Sequence, residues 1–171
     1  KVKAYPSAKE KLLEMYAKRD PRMAASIILP YSRYNGWVSN ARKDCEYVVA
    51  RGVNEKNGFI RINGSMSDSY PWRKFVPEYD MGGSLTNREH TPINFPIIRY
   101  ADVLLMCAEC HNETGNQARA VELINQVRAR VEMPGLNSGP EWLKASTKEE
   151  VFKRIMHERA VEMAGEGLRF S

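Results

Sequence analysis

The stretch RYADVLLMCAECHNETGNQARAVELINQVRAR, residues 99–130, decides the fold, because it contains two amphipathic segments joined by a turn. Apolar residues recur every three to four positions on both sides of Gly115-Asn116, which is the spacing of a helix with one buried face. We predict one helix at about 99–113 and a second at about 117–131. So short a connection makes the two helices antiparallel neighbours.

The hairpin has about 34 residues, which is the length of a tetratricopeptide unit. Its large, small and apolar positions follow the spacing of that repeat in a degenerate form. The positions concerned are Leu104, Cys107, Ala108, His111, Ala120, Ile124 and, somewhat late, Pro134. On this interpretation Cys107 is a buried packing residue, and His111 packs against the second helix. The sequence therefore predicts a mainly α fold built from tetratricopeptide-like hairpins.

The first helix of the hairpin also contains a C-x-x-C-H motif at Cys107, Cys110 and His111, the spacing at which haem is attached covalently. Haem would need a pocket around the porphyrin, whereas the neighbouring helix should already fill that space. A redox dithiol usually places its first cysteine at a helix N-terminus, and Cys107 lies two turns inside. We therefore expect packing cysteines here and no cofactor.

Two further helices are predicted outside the hairpin. One begins near Ser7, whose sequence context forms a capping box, and ends before Pro21. The other covers about 147–164, and its capping box can start at either Ser146 or Thr147.

Patterns that would indicate an enzyme are incomplete in this sequence. His157-Glu158 begins an H-E-x-x-H zinc signature, but Val161 stands where the second histidine should be. The glycine-containing loops lack P-loop spacing, and no serine or cysteine lies in a nucleophile elbow. The sequence thus predicts no catalytic residue and no metal site.

Residues 22–97 are interrupted by glycine or proline every few positions, which is typical of loops. Short strands are possible at 47–50 and 59–62. Much of the aromatic content also lies in this segment, and long loops are often functional. We therefore expect a long irregular segment with few short strands ahead of the hairpin.

The composition is that of an ordinary globular domain, with 43% apolar and 27% charged residues in 171. The net charge of +5 comes from scattered basic residues, so nucleic-acid binding is not expected. No apolar run reaches the roughly 18 residues that span a bilayer. Three cysteines give no disulfide framework. The abrupt start and end suggest a fragment of a longer protein.

Three stretches carry a specific family pattern: NFPIIRYADVLLMCAECHNETGN at 94–116, AVELINQVRAR at 120–130 and KRIMHERAVEMAGEGLRF at 153–170. Two looser stretches, LLEMYAKRDPRMAASI and WRKFVPEYD, lie upstream. Together they resemble the SusD/RagB family of outer-membrane nutrient-binding lipoproteins. Cys107 and Cys110 depart from the residues that the family usually has there, which again favours packing over haem.

The resemblance implies a non-enzymatic protein on the extracellular face of the bacterial outer membrane. Such proteins cap a SusC-type TonB-dependent transporter and hold oligosaccharides, or for some members peptides, for import. Membrane contact would come only through a lipid anchor outside this fragment. The residues alone leave a second possibility, which is a tetratricopeptide-like scaffold that binds peptides or proteins.

In this family the helical repeats serve as scaffold, and ligands usually bind on variable loops that carry aromatic rings. The resemblance thus implies a loop-rich ligand-side segment at 1–97, which begins with a capped helix, and a helical scaffold at 98–171, within one continuous domain.

Our candidate ligand-binding residues surround Gly36, because sugar C–H faces stack on tyrosine or tryptophan while arginine and asparagine reach the hydroxyls. They are Tyr31, Arg33, Tyr34, Asn35 and Trp37.

Other prominent residues are expected to be structural. We expect Trp72 and Trp142 to be packing residues. The charged residues of the helical part should form a scaffold ion-pair network, because buried charges persist only when they are paired. They are Arg99, Asp102, Glu109, Arg128, Glu158, Arg159, Glu162, Glu166 and Arg169.

Overall fold

The computed structural model describes residues 5–38, 41–47, 59–60, 70–76, 78, 93–94 and 96–167. The chain divides into two compact units, residues 1–95 and 96–171. That the two halves form one continuous domain stays a prediction. Within the described ranges, no helix is long and apolar enough to cross a membrane.

The first unit contains two helices and a small sheet. Their bounds are α1 Tyr5–Ala17, α2 Arg22–Ser26, β1 Arg33–Val38, β2 Ala41–Tyr47 and β3 Phe59–Ile60. Because α1 begins at Tyr5, the capping box predicted at Ser7 is wrong: that residue already lies inside the helix. The predicted break at Pro21 is confirmed, since this proline separates α1 from α2.

The sheet has the order β1-β2-β3, with β1 and β2 antiparallel and β3 parallel to β2. Val38 pairs with Ala41, so only residues 39 and 40 connect the first two strands. We expected this region to be irregular, with a strand only from 47 onward, so β1 and most of β2 are corrections. The charged sequence of β2 hides the strand, because it lacks the apolar alternation by which strands are recognised.

Backbone hydrogen bonds attach the segment 70–76 to the end of α2 and to the residues that follow it. The amide of Ile28 donates to the Pro71 carbonyl at 2.8 Å, and the amide of Arg73 donates to the Ser26 carbonyl at 2.8 Å. The Arg73 guanidinium also donates to the Arg33 carbonyl at 2.9 Å. This segment therefore contacts the strand that carries the candidate binding residues.

The second unit is built from three helices, α3 Tyr100–Glu113, α4 Gln117–Ala129 and α5 Lys148–Glu162. A short 3-10 helix, Glu141–Leu143, precedes α5. All three helices agree with the sequence prediction to within two residues, and the mainly α fold is confirmed. Thr147 forms the capping box of α5 with Glu150, which decides between the two starts that the sequence left open.

The core of the second unit lies where the three helices meet. It contains Leu105, Ala108, Ala120, Ile124, Val127, Val151 and Ile155, all of them almost inaccessible to solvent. Cys107 is not among them, because its side chain is exposed on the other side of α3. The prediction that Cys107 is a buried packing residue is therefore wrong for this structure. Ala108 and Leu105 occupy the buried side of that turn instead.

Two asparagine side chains fix the connection between α4 and α5. Asn125 accepts from the Leu136 amide at 2.6 Å and donates to its carbonyl at 3.2 Å. Asn137 does the same for Ala145, at 2.8 and 2.9 Å, from a left-handed backbone conformation with φ 62°. Each side-chain amide satisfies a backbone N–H and a backbone C=O that would otherwise need a backbone partner. The glycine- and proline-rich loop between α4 and α5 therefore keeps one conformation.

The predicted ion-pair network is present among the described charged residues. Arg128 donates to Glu158 at 2.9 Å, and the two side chains are 5% and 1% exposed. Arg130 contacts both carboxylate oxygens of Glu162 at 2.8 Å, and Arg99 binds the same carboxylate.

Other members of the network join α5 to α3. Arg159 bonds Asp102 at 2.7 Å and Glu109 at 3.1 Å. Arg99 donates to Glu166 at 2.6 Å. Arg169 lies outside the described residues.

We predict that Glu158→Gln lowers the free energy of unfolding by about 3 kcal/mol, because it leaves the Arg128 charge buried opposite a neutral group. The control is Glu122→Gln, which removes the exposed pair between Arg119 and Glu122 and should change stability by no more than about 0.5 kcal/mol. Urea unfolding followed by circular dichroism measures both. Equal midpoints for the two variants would contradict the prediction.

Candidate functional site

Three of the five candidate residues occupy one face of the β1–β2 hairpin. Arg33, Asn35 and Trp37 are alternate positions of β1, so all three positions belong to the same face of the strand. Their paired positions on β2 are Glu46, Asp44 and Arg42, respectively. The face defined by these six positions is called the hairpin face below. The side chains of Trp37 and Arg42 lie outside the described residues.

An ion pair crosses the hairpin face. Arg33 donates from Nε to Asp44 at 2.7 Å and makes a second bond from Nη2 to the other carboxylate oxygen. The Arg33 side chain is 80% exposed, and the Asp44 carboxylate raises the pKa of its guanidinium. A bidentate pair of this kind fixes the plane of the guanidinium without removing it from solvent. It places charged donors and acceptors beside Asn35.

Tyr34 lies on the opposite side of the strand. Its side chain is only 5% exposed, and its ring covers Gly36. A Cβ atom at Gly36 would come within 2.6 Å of the ring carbon Cζ, so the glycine is needed for this close approach. The structure therefore does not bring Tyr34 to the hairpin face, and its ring supports the strand from beneath.

Tyr31 belongs to a different group of rings. It precedes β1 in a left-handed conformation, with φ 66°, and its amide donates to the Tyr47 carbonyl at 2.6 Å. The ammonium of Lys9 lies 5.5 Å from the centre of its ring, within the range of a cation–π contact. Tyr16 interacts electrostatically with Tyr31 and with Tyr70. The group Tyr16, Tyr31, Tyr47 and Tyr70 is called the tyrosine cluster.

Two members of the tyrosine cluster, Tyr16 and Tyr47, have raised pKa values. Burial raises the pKa of Tyr47 to about 12. Burial, together with the hydrogen bond to Tyr70, raises the pKa of Tyr16 to about 12, and the two hydroxyl oxygens are 3.4 Å apart. Phenols held neutral in this way remain donors and acceptors over the whole physiological pH range.

Sequence reasoning missed several of these residues. Tyr16 and Tyr70 are 54 positions apart, and no local pattern connects them. Asp44 and Arg42 join the candidate residues only through the pairing of β1 with β2, because Ser39-Asn40 is not a typical hairpin-turn pair and the Asn-Gly pair at 35–36 lies inside β1.

The packing roles predicted for two tryptophans are wrong for this structure. Trp72 is 51% exposed and Trp142 is 64% exposed. Neither indole is held in the interior of its unit.

Cys107 and Cys110 are free, exposed thiols on α3. Among the residues that the structure describes, no three histidine, cysteine or acidic side chains converge as metal ligands. The described residues thus do not assemble a metal-binding site around the C-x-x-C-H motif.

A groove of about 500 Å³ lies between α3 and α4. Leu104, Val127 and Ala101 form apolar parts of its lining, while Arg99, Arg130 and Gln126 contribute polar groups. Tyr100, whose ring is 73% exposed, also lines it. This groove lies entirely within the second unit and contains none of the five candidate residues.

Comparison with known proteins identifies related sequences. A model described as the SusD family matches residues 1–171. SusD-like proteins P38 and P25 of Formosa agariphila are 40% identical over 79 residues and 41% identical over 71 residues. These matches cover 45% and 41% of this chain but only 16% and 13% of the relatives. The chain thus matches a small part of much longer proteins.

The fold has a counterpart among solved structures. A SusD-like protein from Bacteroides fragilis superimposes on 90% of this chain with a TM-score of 0.58 and 24% sequence identity. The match covers 27% of that solved chain. At this level of identity the comparison establishes the fold.

We predict that the first unit loses stability between pH 10 and pH 12, because the raised pKa values make folding favour the protonated phenols. The folded value of about 12 lies above the ordinary tyrosine value of about 10, so this stabilisation is complete below pH 10 and disappears as the pH passes 12. Tyrosinate absorbance and circular dichroism measure the two events. Tyr47→Phe should show a shallower loss, and an identical pH profile would contradict the prediction.

Proposed function

This chain belongs to the SusD family, and on that premise we propose that the complete protein binds oligosaccharides at the outer-membrane surface for import. It is a non-enzymatic, lipid-anchored protein of the extracellular face, and it delivers its ligand to a SusC-type TonB-dependent transporter. The observation that carries the proposal is the hairpin face, where an aromatic position lies beside exposed polar side chains.

The ligand contacts are assigned to the hairpin face. Trp37 supplies the apolar plane on which a sugar ring stacks, and Asn35 bonds the hydroxyls. The Arg33–Asp44 pair presents both donors and acceptors, as vicinal hydroxyls require. The backbone register supports this grouping, since Trp37 is opposite Arg42 and Asn35 is opposite Asp44.

Two of the five candidate residues have altered roles in this proposal. Tyr34 is a supporting residue, because its buried ring keeps β1 in place over Gly36. Tyr31 is assigned to the tyrosine cluster, which lies next to the start of β1, and not to the hairpin face. Trp72 is 51% exposed and precedes Arg73, which bonds the Arg33 carbonyl of the hairpin. In the proposal it extends the surface for a longer oligosaccharide.

The second unit supports this assignment by its chemistry. Its buried charges are paired with one another across α3, α4 and α5, as in a structural network. The Arg128 and Glu158 side chains are 5% and 1% exposed, so this pair offers no accessible group to a sugar, whereas the Arg33 side chain is 80% exposed. The ligand site is therefore assigned to the first unit and the supporting role to the second.

We predict that Trp37→Ala weakens oligosaccharide binding at least about tenfold, or about 1.4 kcal/mol, because the stacking plane is lost. Isothermal titration of the complete protein against a panel of oligosaccharides and peptides measures this. The matched control is Trp142→Ala, which removes an exposed indole of the second unit and should leave the affinity unchanged.

Two outcomes would count against the proposal. If no oligosaccharide binds and a peptide does, the protein is a peptide-binding scaffold of the tetratricopeptide type. If oligosaccharides bind equally well to both tryptophan variants, the ligand site lies away from the hairpin face.

A further inference from the structure

The two units carry different charges. Residues 1–95 contain 16 lysine and arginine residues against 10 aspartate and glutamate residues, which is a formal charge of +6. Residues 96–171 contain 10 basic residues against 11 acidic residues, which is a formal charge of −1. The net charge of +5 therefore comes wholly from the unit that carries the hairpin face. The field of such a unit attracts anions before any direct contact is made.

Several carboxylates of the first unit are already paired with its own cations. Within the described ranges, ion pairs join Lys9 to Glu46, Lys18 to Glu14, Arg22 to Asp20, Arg33 to Asp44 and Arg73 to Glu78. Each pair uses one acid and one base, so the excess of basic residues over the unit is left unchanged. An anion that approaches the hairpin face thus meets carboxylates whose charge is offset by a neighbouring cation.

The hairpin face shares in this excess of positive charge. Arg33 and Arg42 occupy two of its positions, and Lys9 bonds Glu46 from α1. These three basic residues stand against two acidic ones, Asp44 and Glu46. The segment that bonds the Arg33 carbonyl adds two further basic residues and one acid, at positions 73, 74 and 78.

Arg33 offers a direct contact for an anionic group. Its bonds to Asp44 use Nε and Nη2, so Nη1 takes no part in that pair. The side chain is 80% exposed, and the bidentate pair already fixes the plane of the guanidinium. A ligand therefore does not have to order this side chain when it binds. Hydrogen bonds between a guanidinium and an oxyanion are roughly twice as strong as those between neutral groups.

We propose that the hairpin face takes an anionic oligosaccharide, whose sugar rings carry carboxylate or sulfate groups. The inference rests on the proposed oligosaccharide binding and adds the chemical class of the ligand. One ring stacks at Trp37, and an anionic substituent on that ring or on its neighbour accepts from the Nη1 side of Arg33. The charge of the first unit raises the local concentration of such a ligand.

Matched ligand pairs test this charge preference. Isothermal titration of the complete protein uses uronic-acid oligosaccharides and sulfated oligosaccharides, each beside its neutral methyl-esterified or desulfated counterpart. In about 0.1 M salt, we expect one anionic form to bind at least about tenfold more tightly than its neutral counterpart, and the pair that responds identifies the group. In about 1 M salt this ratio should fall at least about threefold, because the Debye length shortens to roughly 3 Å.

A double variant tests whether the preference arises at the hairpin face. Arg33→Gln with Asp44→Asn removes the exposed ion pair without changing the net charge, and it should abolish most of the preference for the anionic form. The matched control is Lys153→Gln with Glu149→Gln, which removes an ion pair of similar exposure from α5 and should leave the ratio of affinities unchanged.

The possible failures are distinguishable. Equal affinities for charged and neutral counterparts overturn the inference and leave oligosaccharide binding intact. A preference that survives unchanged in the Arg33 variant overturns the assignment to the hairpin face. If no oligosaccharide of either kind binds, the proposed function fails and the inference fails with it. Binding to phosphatidylglycerol vesicles but not to phosphatidylcholine vesicles, without a preference between the oligosaccharides, assigns the charge to a membrane surface and also overturns the inference.

Discussion

Two buried carboxylates on α5 hold the second unit together. Glu158 and Glu162 are 1% and 2% exposed, and arginines that lie before α3 and at the end of α4 reach them. Burying either carboxylate without a partner would be costly. The helix α5 therefore packs against the other two helices in the arrangement that places those arginines beside the carboxylates. The network thereby favours one arrangement of three helices that apolar packing alone specifies only loosely.

The rest of that unit depends on this arrangement. Arg128 also donates to the Pro134 carbonyl at 2.8 Å. The side chain that neutralises Glu158 therefore also holds the first part of the loop after α4. Asn125 and Asn137 then fix the loop up to the start of α5. Side-chain hydrogen bonds therefore hold the loop between α4 and α5 at Pro134, Leu136 and Ala145.

The two units differ in the kind of surface that they present. The first unit exposes the charged side chains of Arg33 and Asp44 on the hairpin face. The second unit exposes the large apolar side chains of Tyr100 and Met106 on α3. Oligosaccharide binding is proposed only for the first of these two surfaces.

The sequence by itself determined the helical hairpin, the start of α5 to within one residue, the ion-pair network and the family. These follow from local signals: apolar periodicity, capping residues and a run of family-specific positions. The side on which Cys107 lies, the burial of Tyr34 and the exposure of Trp72 and Trp142 were decided only by the tertiary structure. A helix such as α3 has two apolar faces, and periodicity alone does not say which one meets its neighbours. Likewise, only the strand pairing separates Arg33, Asn35 and Trp37 from Tyr34. Alternate residues of a strand belong to opposite faces, whereas the sequence had indicated a loop, in which no such alternation is defined.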